Sequence, residues 1–305
     1  MSELRNSPYV LLIIATCLWG GNFVAGKMLV AEVPPLILAG MRWLTALVLL
    51  LPFYGRIAWR HRKELLRRWP QVAILSLLGV AGFNTLVYIA VQTTSSINAA
   101  LMNAATPVFI LVISLLFLGE KLSLVRTAGI LVSIAGVLWI ISQGSLAAIA
   151  GLHFNHGDLW MLLAILFWAL YTMLTKRWAG SFQPNALFVG TVCVTILMLA
   201  PGALLELALG SHPITWNGAV VGGIIYIGLF ASIVAFTCWN RAVALIGPAR
   251  CAGFLNLIPL FSAVFAVLLA GERIHIYHLV GTVLILVGIA VSSRESRTNS
   301  RANEA

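Results

Sequence analysis

The chain has 305 residues, 61% of them hydrophobic and only 9% charged, with a mean hydropathy of +1.00 and a formal net charge of +10. Soluble domains carry about 25% charged and about 45–50% apolar residues, so a water-facing surface cannot be built from so few charges. This composition excludes an ordinary soluble protein, a disordered chain, a disulfide-stapled secreted module and a coiled coil. The solvent it fits is lipid.

Apolar segments follow in chain order at 9–29, 35–54, 70–91, 97–118, 124–142, 157–177, 185–206, 217–240, 249–270 and 277–293. A spanning helix needs about 20 such residues, and a helix satisfies its own amides in lipid. Barrel strands would instead alternate apolar and polar residues over about ten positions, and that alternation is absent. The run from Tyr9 follows Arg5 as a secretory signal would, but no small-residue cleavage site precedes the polar break, so it reads as a retained first span. The predicted fold is an all-α polytopic membrane protein with ten transmembrane helices.

Basic residues set the orientation. Arg5, the six of 56–68 (Arg56, Arg60, Arg62, Lys63, Arg67, Arg68), Lys121, Arg126, Lys176, Arg177, Arg241, Arg250, Arg294, Arg297 and Arg301 lie on one side, sixteen of the nineteen. Only Lys27 and Arg273 fall on the other, and Arg42 lies inside the second segment. The inner-positive bias predicts both termini in the cytoplasm. A nucleic-acid patch would need a solvated basic domain with interleaved aromatics, so no nucleic-acid partner is expected. Trp59, Trp69, Trp139, Trp160, Trp178 and Trp216 fall near segment ends, where an interfacial indole belongs; Trp19, Trp43 and Trp168 do not. Cys17, Cys193, Cys238 and Cys251 show no metal-type spacing and read as small packing residues.

The chain repeats itself. Pro107 and Pro259 each precede a glutamate, Glu120 and Glu272, by thirteen residues, and Gly129, Gly136 and Ala90 match Gly281, Gly288 and Ala242 at a constant offset of 152. Trp19 stands eight residues before Lys27, as Trp168 does before Lys176. Five segments per half is an odd number, so the second half enters the membrane inverted, an architecture typical of secondary transporters. The expected organisation is a five-helix repeat over 1–142, an external linker at 143–156, a second repeat over 157–293 and a cytoplasmic tail at 294–305.

Trp19-Gly20-Gly21-Asn22-Phe23, the stretch from Pro107 to Gly119-Glu120 and its copy from Pro259 to Gly271-Glu272 resemble the EamA family of the drug/metabolite transporter superfamily, over essentially the whole chain. The resemblance implies two five-helix units and export of small metabolites or amino acids across a bacterial inner membrane. It further implies a central cavity formed by spans one, three, four, six, eight and nine, with five and ten as scaffold.

Breaks at corresponding positions of two halves point to a transport site. Pro107 and Pro259 are read as lying near the middle of spans four and nine, freeing the carbonyls of Asn103 and Leu255, with Asn103 and Asn256 adding side-chain donors and acceptors. Helical spacing sets Trp19, Asn22, Phe23 and Gly26 on one face of span one, and Trp168, Tyr171, Thr172 and Thr175 on one face of span six. Asn84, Tyr88 and Gln92 form a polar stripe on span three, which has to face the interior or water. The expected substrate-binding residues are therefore Trp19, Asn22, Phe23, Asn84, Tyr88, Asn103, Pro107, Trp168, Tyr171, Asn256 and Pro259. For Arg42, contact with a substrate carboxylate competes with snorkelling to the interface or bonding to backbone carbonyls. Gly129, Gly136, Gly281 and Gly288 fit close helix packing of spans five and ten.

His153, His156, His212, His275 and His278 lack the cysteines or carboxylates that would complete a metal site. No metal and no cofactor are expected. No acidic residue lies mid-span, so proton-coupled export of cationic drugs is not expected. A P-loop, H-E-x-x-H and G-x-S-x-G are all missing from the sequence, which argues against an ATP-driven pump or an enzyme. The expectation is a carrier of neutral or zwitterionic metabolites, amino acids first, with membrane lipid and a small-molecule substrate as partners and a monomer sufficient. A drug efflux carrier, a channel and a lipid-handling protein are the alternatives left open.

Overall fold

Long aliphatic runs become helices here because a segment in lipid has no water to take its amides. The computed structural model describes residues 7–106, 108–109, 112–113, 124–147, 155–178, 180–210, 214–246 and 253–302. Among these residues the regular structure is all helix. In chain order come α1 (Pro8–Leu29), α2 (Pro35–Arg60), the short α3 (Arg62–Arg67), α4 (Trp69–Thr93), α5 (Ser96–Asn103) and α6 (Leu124–Ile141). There follow α7 (His156–Arg177), α8 (Pro184–Leu209), α9 (Gly218–Ile225, Tyr226–Val234 and Ala235–Ile246 in succession), α10 (Leu257–Ala270, entered through a tight 3₁₀ turn, Gly253–Asn256) and α11 (Ile276–Ala302).

Local sequence sets the ends. Proline opens α1, α2 and α8, where a missing amide costs nothing. Ser95, Gln183 and Asn217 cap α5, α8 and α9 by accepting from the amides of Asn98, Ala186 and Val220 at 3.0, 2.6 and 2.9 Å. Gly210 and Gly271 close α8 and α10 at φ 60° and 65°, a left-handed conformation that needs no Cβ.

Among the described residues six helices are long and apolar enough to cross a membrane: Pro8–Leu29, Pro35–Arg60, Trp69–Thr93, His156–Thr175, Pro184–Leu209 and Gly218–Trp239. Shorter apolar helices cover Thr127–Ile141, Phe254–Ala270 and Ile276–Val291. Of the fourth expected span, α5 and a few residues beyond it fall among the described residues. Large apolar side chains stand outward, with Phe53 76% and Leu268 73% exposed, a surface suited to acyl chains. Trp59 and Trp69 near the helix ends are exposed as interfacial indoles should be, and the Arg62 guanidinium lies over the Trp59 ring at 4.2 Å.

The helices pair α6 with α11, α2 with α8, α1 with both α9 and α10, and α4 with α7. The expected glycine seam is present. A Cβ on Gly136 would stand 2.9 Å from the Gly281 carbonyl oxygen, and one on Gly288 would stand 2.6 Å from that of Gly129. Backbone therefore meets backbone along α6 and α11.

Two features depart from the expectation. α4 and α9 each contain a widened π-helical stretch, Ser76–Gly82 and Tyr226–Val234, which apolar periodicity does not announce. Pro259 is buried in the first turn of α10 rather than at mid-helix, because the chain before it, Gly253–Asn256, is a 3₁₀ turn. In the first turn of a helix a proline's missing amide interrupts no intrahelical bond. Pro107 lies outside the described residues, but α5 does end at Asn103, and the Asn103 carbonyl is taken by the Thr106 hydroxyl at 2.6 Å.

Candidate functional site

The centre of the bundle is organised around one cation. Arg42 comes from α2, is 2% exposed, and neither snorkels nor turns to backbone carbonyls. Its Nε donates to Ser232 Oγ of α9 at 2.8 Å, and its Nη1 donates to Asn22 Oδ1 of α1 and Tyr88 Oη of α4, each at 3.0 Å. The guanidinium also lies 5.0 Å from the Trp43 ring and 6.0 Å from the Tyr88 ring. The π turns permit this convergence. Ser232 Oγ donates to the Ile227 carbonyl five residues back at 2.8 Å, and Gly228 lets α9 approach Thr45 and the Arg42 carbonyl. Gly26 likewise admits the Tyr88 ring against α1.

Aromatic side chains pack between neighbouring helices in two groups. Trp19 of α1 meets Phe236 and Trp239 of α9, each at 5.5 Å between centroids, and its indole N–H donates to the Ala231 carbonyl at 3.1 Å. Trp168 of α7 meets Phe83 of α4 at 4.8 Å and Tyr171 at 5.2 Å. Glycine makes both approaches feasible, since the Tyr171 ring lies on Gly79 and the Tyr226 hydroxyl lies on Gly21 while donating to the Leu18 carbonyl at 2.9 Å.

At the end of the bundle marked by Lys27, the α4–α5 turn is tied from every side. Lys27 Nζ donates to the Thr94 carbonyl at 3.0 Å and the Gln92 carbonyl at 3.4 Å. The Thr94 hydroxyl donates to Asp158 Oδ1 at 2.6 Å, and Asn155 Nδ2 donates to the Thr93 carbonyl at 2.6 Å. Glu272 Oε1 accepts from the Ser96 amide and hydroxyl, each at 2.8 Å, and Oε2 accepts from the Ile97 amide at 3.2 Å. His278 Nδ1 accepts from the His275 amide at 2.9 Å, which leaves Nε2 to carry the proton towards Asn98 Oδ1 at 3.0 Å. The carboxylate of Glu206 performs a parallel service for α2, accepting from the amides of Leu36 and Ile37, each at 3.0 Å.

The structure thus brings Asn22, Tyr88 and Arg42 into one cluster, with Trp19 three residues before Asn22 on α1, and sets Trp168 and Tyr171 against α4 at Phe83 and Gly79. Phe23 is buried in the apolar core. Asn84 does not continue the polar stripe; its Nδ2 returns to the Val80 carbonyl of its own helix at 3.0 Å, where the π turn leaves carbonyls less well used. Gln92 is exposed. Asn103 and Asn256 sit at the broken ends of α5 and α10. Sequence reading missed Ser232, a small hydroxyl in an apolar run, and Phe83 and Phe236, which look like ordinary lipid-facing or core rings. Their mid-helix positions opposite Trp168 and Trp19 were the available signal. Among the described residues no three His, Cys, Asp or Glu side chains gather as a metal site would require.

Long apolar helices, outward aliphatic surfaces and a polar node held at their centre define a multi-pass helical membrane protein. The profile of the EamA-like transporter family matches residues 6–142 and, a second time, residues 155–294. The chain belongs to that family, and it is a membrane transporter. An uncharacterized transporter of Bacillus subtilis, YyaM, is 26% identical over 290 residues, covering 93% of each chain. An uncharacterized inner membrane transporter of Escherichia coli, YedA, is 29% identical over 265 residues, with 84% of this chain and 81% of its own covered. A solved crystal structure of a protein, 19% identical, superposes with a TM-score of 0.63 over 96% of this chain and 98% of that one, and it bears on the fold alone.

Proposed function

We propose that the protein is a secondary carrier that exports small neutral or zwitterionic metabolites, amino acids first, by alternating access. In this reading it lies in a bacterial inner membrane with both termini cytoplasmic. Two five-helix units, 1–142 and 157–293, are related by an inverted repeat and enclose a cavity lined by Trp19, Asn22, Tyr88, Trp168 and Tyr171.

The observation that carries the reading is the exchange symmetry of the contacts. Pairing α1 with α9 corresponds to pairing α7 with α4, while α2–α8 and α6–α11 each correspond to themselves. The aromatic contacts follow the same exchange, Trp19 on Phe236 and Trp168 on Phe83, and so do the π stretches of α4 and α9. The family profile fits the chain twice in tandem. Two like halves of opposite orientation are what a carrier needs, since each takes up in turn the conformation the other has left. An aromatic and amide lining suits a ligand with an apolar body and a small polar end.

The test is counterflow in proteoliposomes loaded with unlabelled amino acids. Saturable uptake of the labelled compound, lost in Trp168→Ala at matched abundance, is the expected result. Flux that rises linearly with concentration and ignores the internal load would make the protein a channel and overturn the reading.

A further inference from the structure

The polar node around Arg42 is rich in donors and poor in acceptors. A guanidinium has five N–H groups and stays charged at any accessible pH. Three of Arg42's are used, by Ser232, Asn22 and Tyr88. Its Nη2 pair has no partner among the described residues. Asn22 spends its oxygen on Arg42, which leaves the Nδ2 donors of the same amide without a described partner. The Tyr88 hydroxyl accepts from Arg42, and its own proton finds only Asn22 Oδ1 at 3.5 Å, the limit of a hydrogen bond. The Trp43 indole N–H beside them is buried and also unpartnered among the described residues.

Among the described residues no carboxylate pairs with the Arg42 guanidinium. The only ion pair among the described residues is His61 with Glu64, at the start of α3. The carboxylate nearest to Arg42 along α2, Glu206, is committed to the amides of Leu36 and Ile37, about 9 Å up the helix at 1.5 Å per residue. A buried cation without a counter-charge is strongly disfavoured, and the Trp43 indole N–H left unpartnered in the same place adds to the cost.

We propose that Arg42, with Asn22 and Tyr88, is the binding point for a carboxylate group of the transported substrate. A carboxylate supplies only acceptors, carries the missing charge, and suits a guanidinium better than any other group a small metabolite offers. The inference rests on the carrier reading above and narrows its substrate class from neutral or zwitterionic compounds to those bearing a free carboxylate. Asn22 and Tyr88 act by contact with the same group, and Ser232 acts by holding Nε so that Nη2 is presented.

The test uses the detergent-purified full-length chain and thermal stabilisation by added ligand, which reports binding without transport. The probes are L-leucine and L-phenylalanine, each beside its carboxamide, together with sodium acetate and sodium chloride. Two charge-assisted bonds in a buried site predict that each acid binds about 10- to 100-fold more tightly than its amide. Arg42→Gln should abolish that preference, and Arg42→Lys should keep part of it. Equal stabilisation by acid and amide, a response to chloride without one to any carboxylate, or no response to any anion would each overturn the proposal. The comparison is made on the unaltered protein, so a misfolded Arg42→Gln does not shelter it. Counterflow of amides as fast as acids would remove the role of Arg42 and leave the carrier standing. Acid-selective stabilisation without counterflow would do the reverse.

Discussion

Glu272→Gln should loosen the Lys27 end of the bundle. The carboxylate accepts three bonds at the start of α5, from the Ser96 amide and hydroxyl at 2.8 Å and from the Ile97 amide at 3.2 Å. Glutamine keeps one oxygen for Ser96 but turns charge-assisted bonds into neutral ones and loses the Ile97 bond. Bonds to a charged group contribute about 1.5–3 kcal/mol and neutral ones about 0.5–1.5, and a negative charge at a helix start adds about 0.3–1 kcal/mol. A net loss of about 2 kcal/mol is a reasonable central value, and it corresponds to roughly a 30-fold shift between a closed and an open state. The readout is thiol labelling of Ala99→Cys, a position on α5 that is 0% exposed, in a chain with Cys17, Cys193, Cys238 and Cys251 replaced by alanine. An impermeant reagent supplied on the Lys27 side should label the Glu272→Gln form about 30-fold faster if opening limits access. Equal labelling rates in the two forms would refute the view that this carboxylate holds that end shut.

Gly288→Ala places a methyl 2.5 Å from the Ser133 amide nitrogen and 2.6 Å from the Gly129 carbonyl oxygen. Forcing α6 and α11 apart should cost about 1–3 kcal/mol, lowering the melting temperature while turnover per folded molecule survives; an unchanged melting temperature would count against the seam. Reporter fusions at Arg62 and at the C-terminal tail should both read cytoplasmic and one at Asn155 external, and an external tail would overturn the orientation drawn from the basic loops.

Much of the architecture was legible because lipid leaves few options. Composition demanded helices, and the spacing of Gly129, Gly136, Gly281 and Gly288 marked a seam that the structure closes backbone to backbone. Helical spacing sets Trp19, Asn22, Phe23 and Gly26 on one face of span one, and a polar side chain in lipid turns inward; Asn22 does so to reach Arg42 and Gly26 receives the Tyr88 ring, while Phe23 lies in the apolar core. Arg42 could be singled out but not placed. Its partners Asn22, Tyr88 and Ser232 lie 20, 46 and 190 residues away along the chain, and a serine in an aliphatic run gives no sign of facing a guanidinium. The π stretches escaped for a related reason. They arise where a neighbour presses on a glycine, as Tyr171 does on Gly79 and Phe167 on Gly82, or Thr45 on Gly228, and periodicity within one helix does not record its neighbour.

The same contrast separates what the molecule holds fixed from what it can release. Between α6 and α11 the contact is made by backbone against backbone, so no rotamer change can relax it and the pair moves only as a unit. At the α4–α5 turn the hydrogen bonds to other helices run through side chains: Lys27, Asp158, Glu272 and Asn155 each reach a separate group. Such ties can be broken one at a time and exchanged for water when that end opens. On the carrier reading, the node at Arg42 joins these two regimes. It links α1, α2, α4 and α9 by hydrogen bonds to one guanidinium, so an acceptor arriving at its unspent donors bears on four helices together. A ligand shifts such an equilibrium only through a difference in how it binds the two states, and a shared guanidinium is a place where that difference can arise.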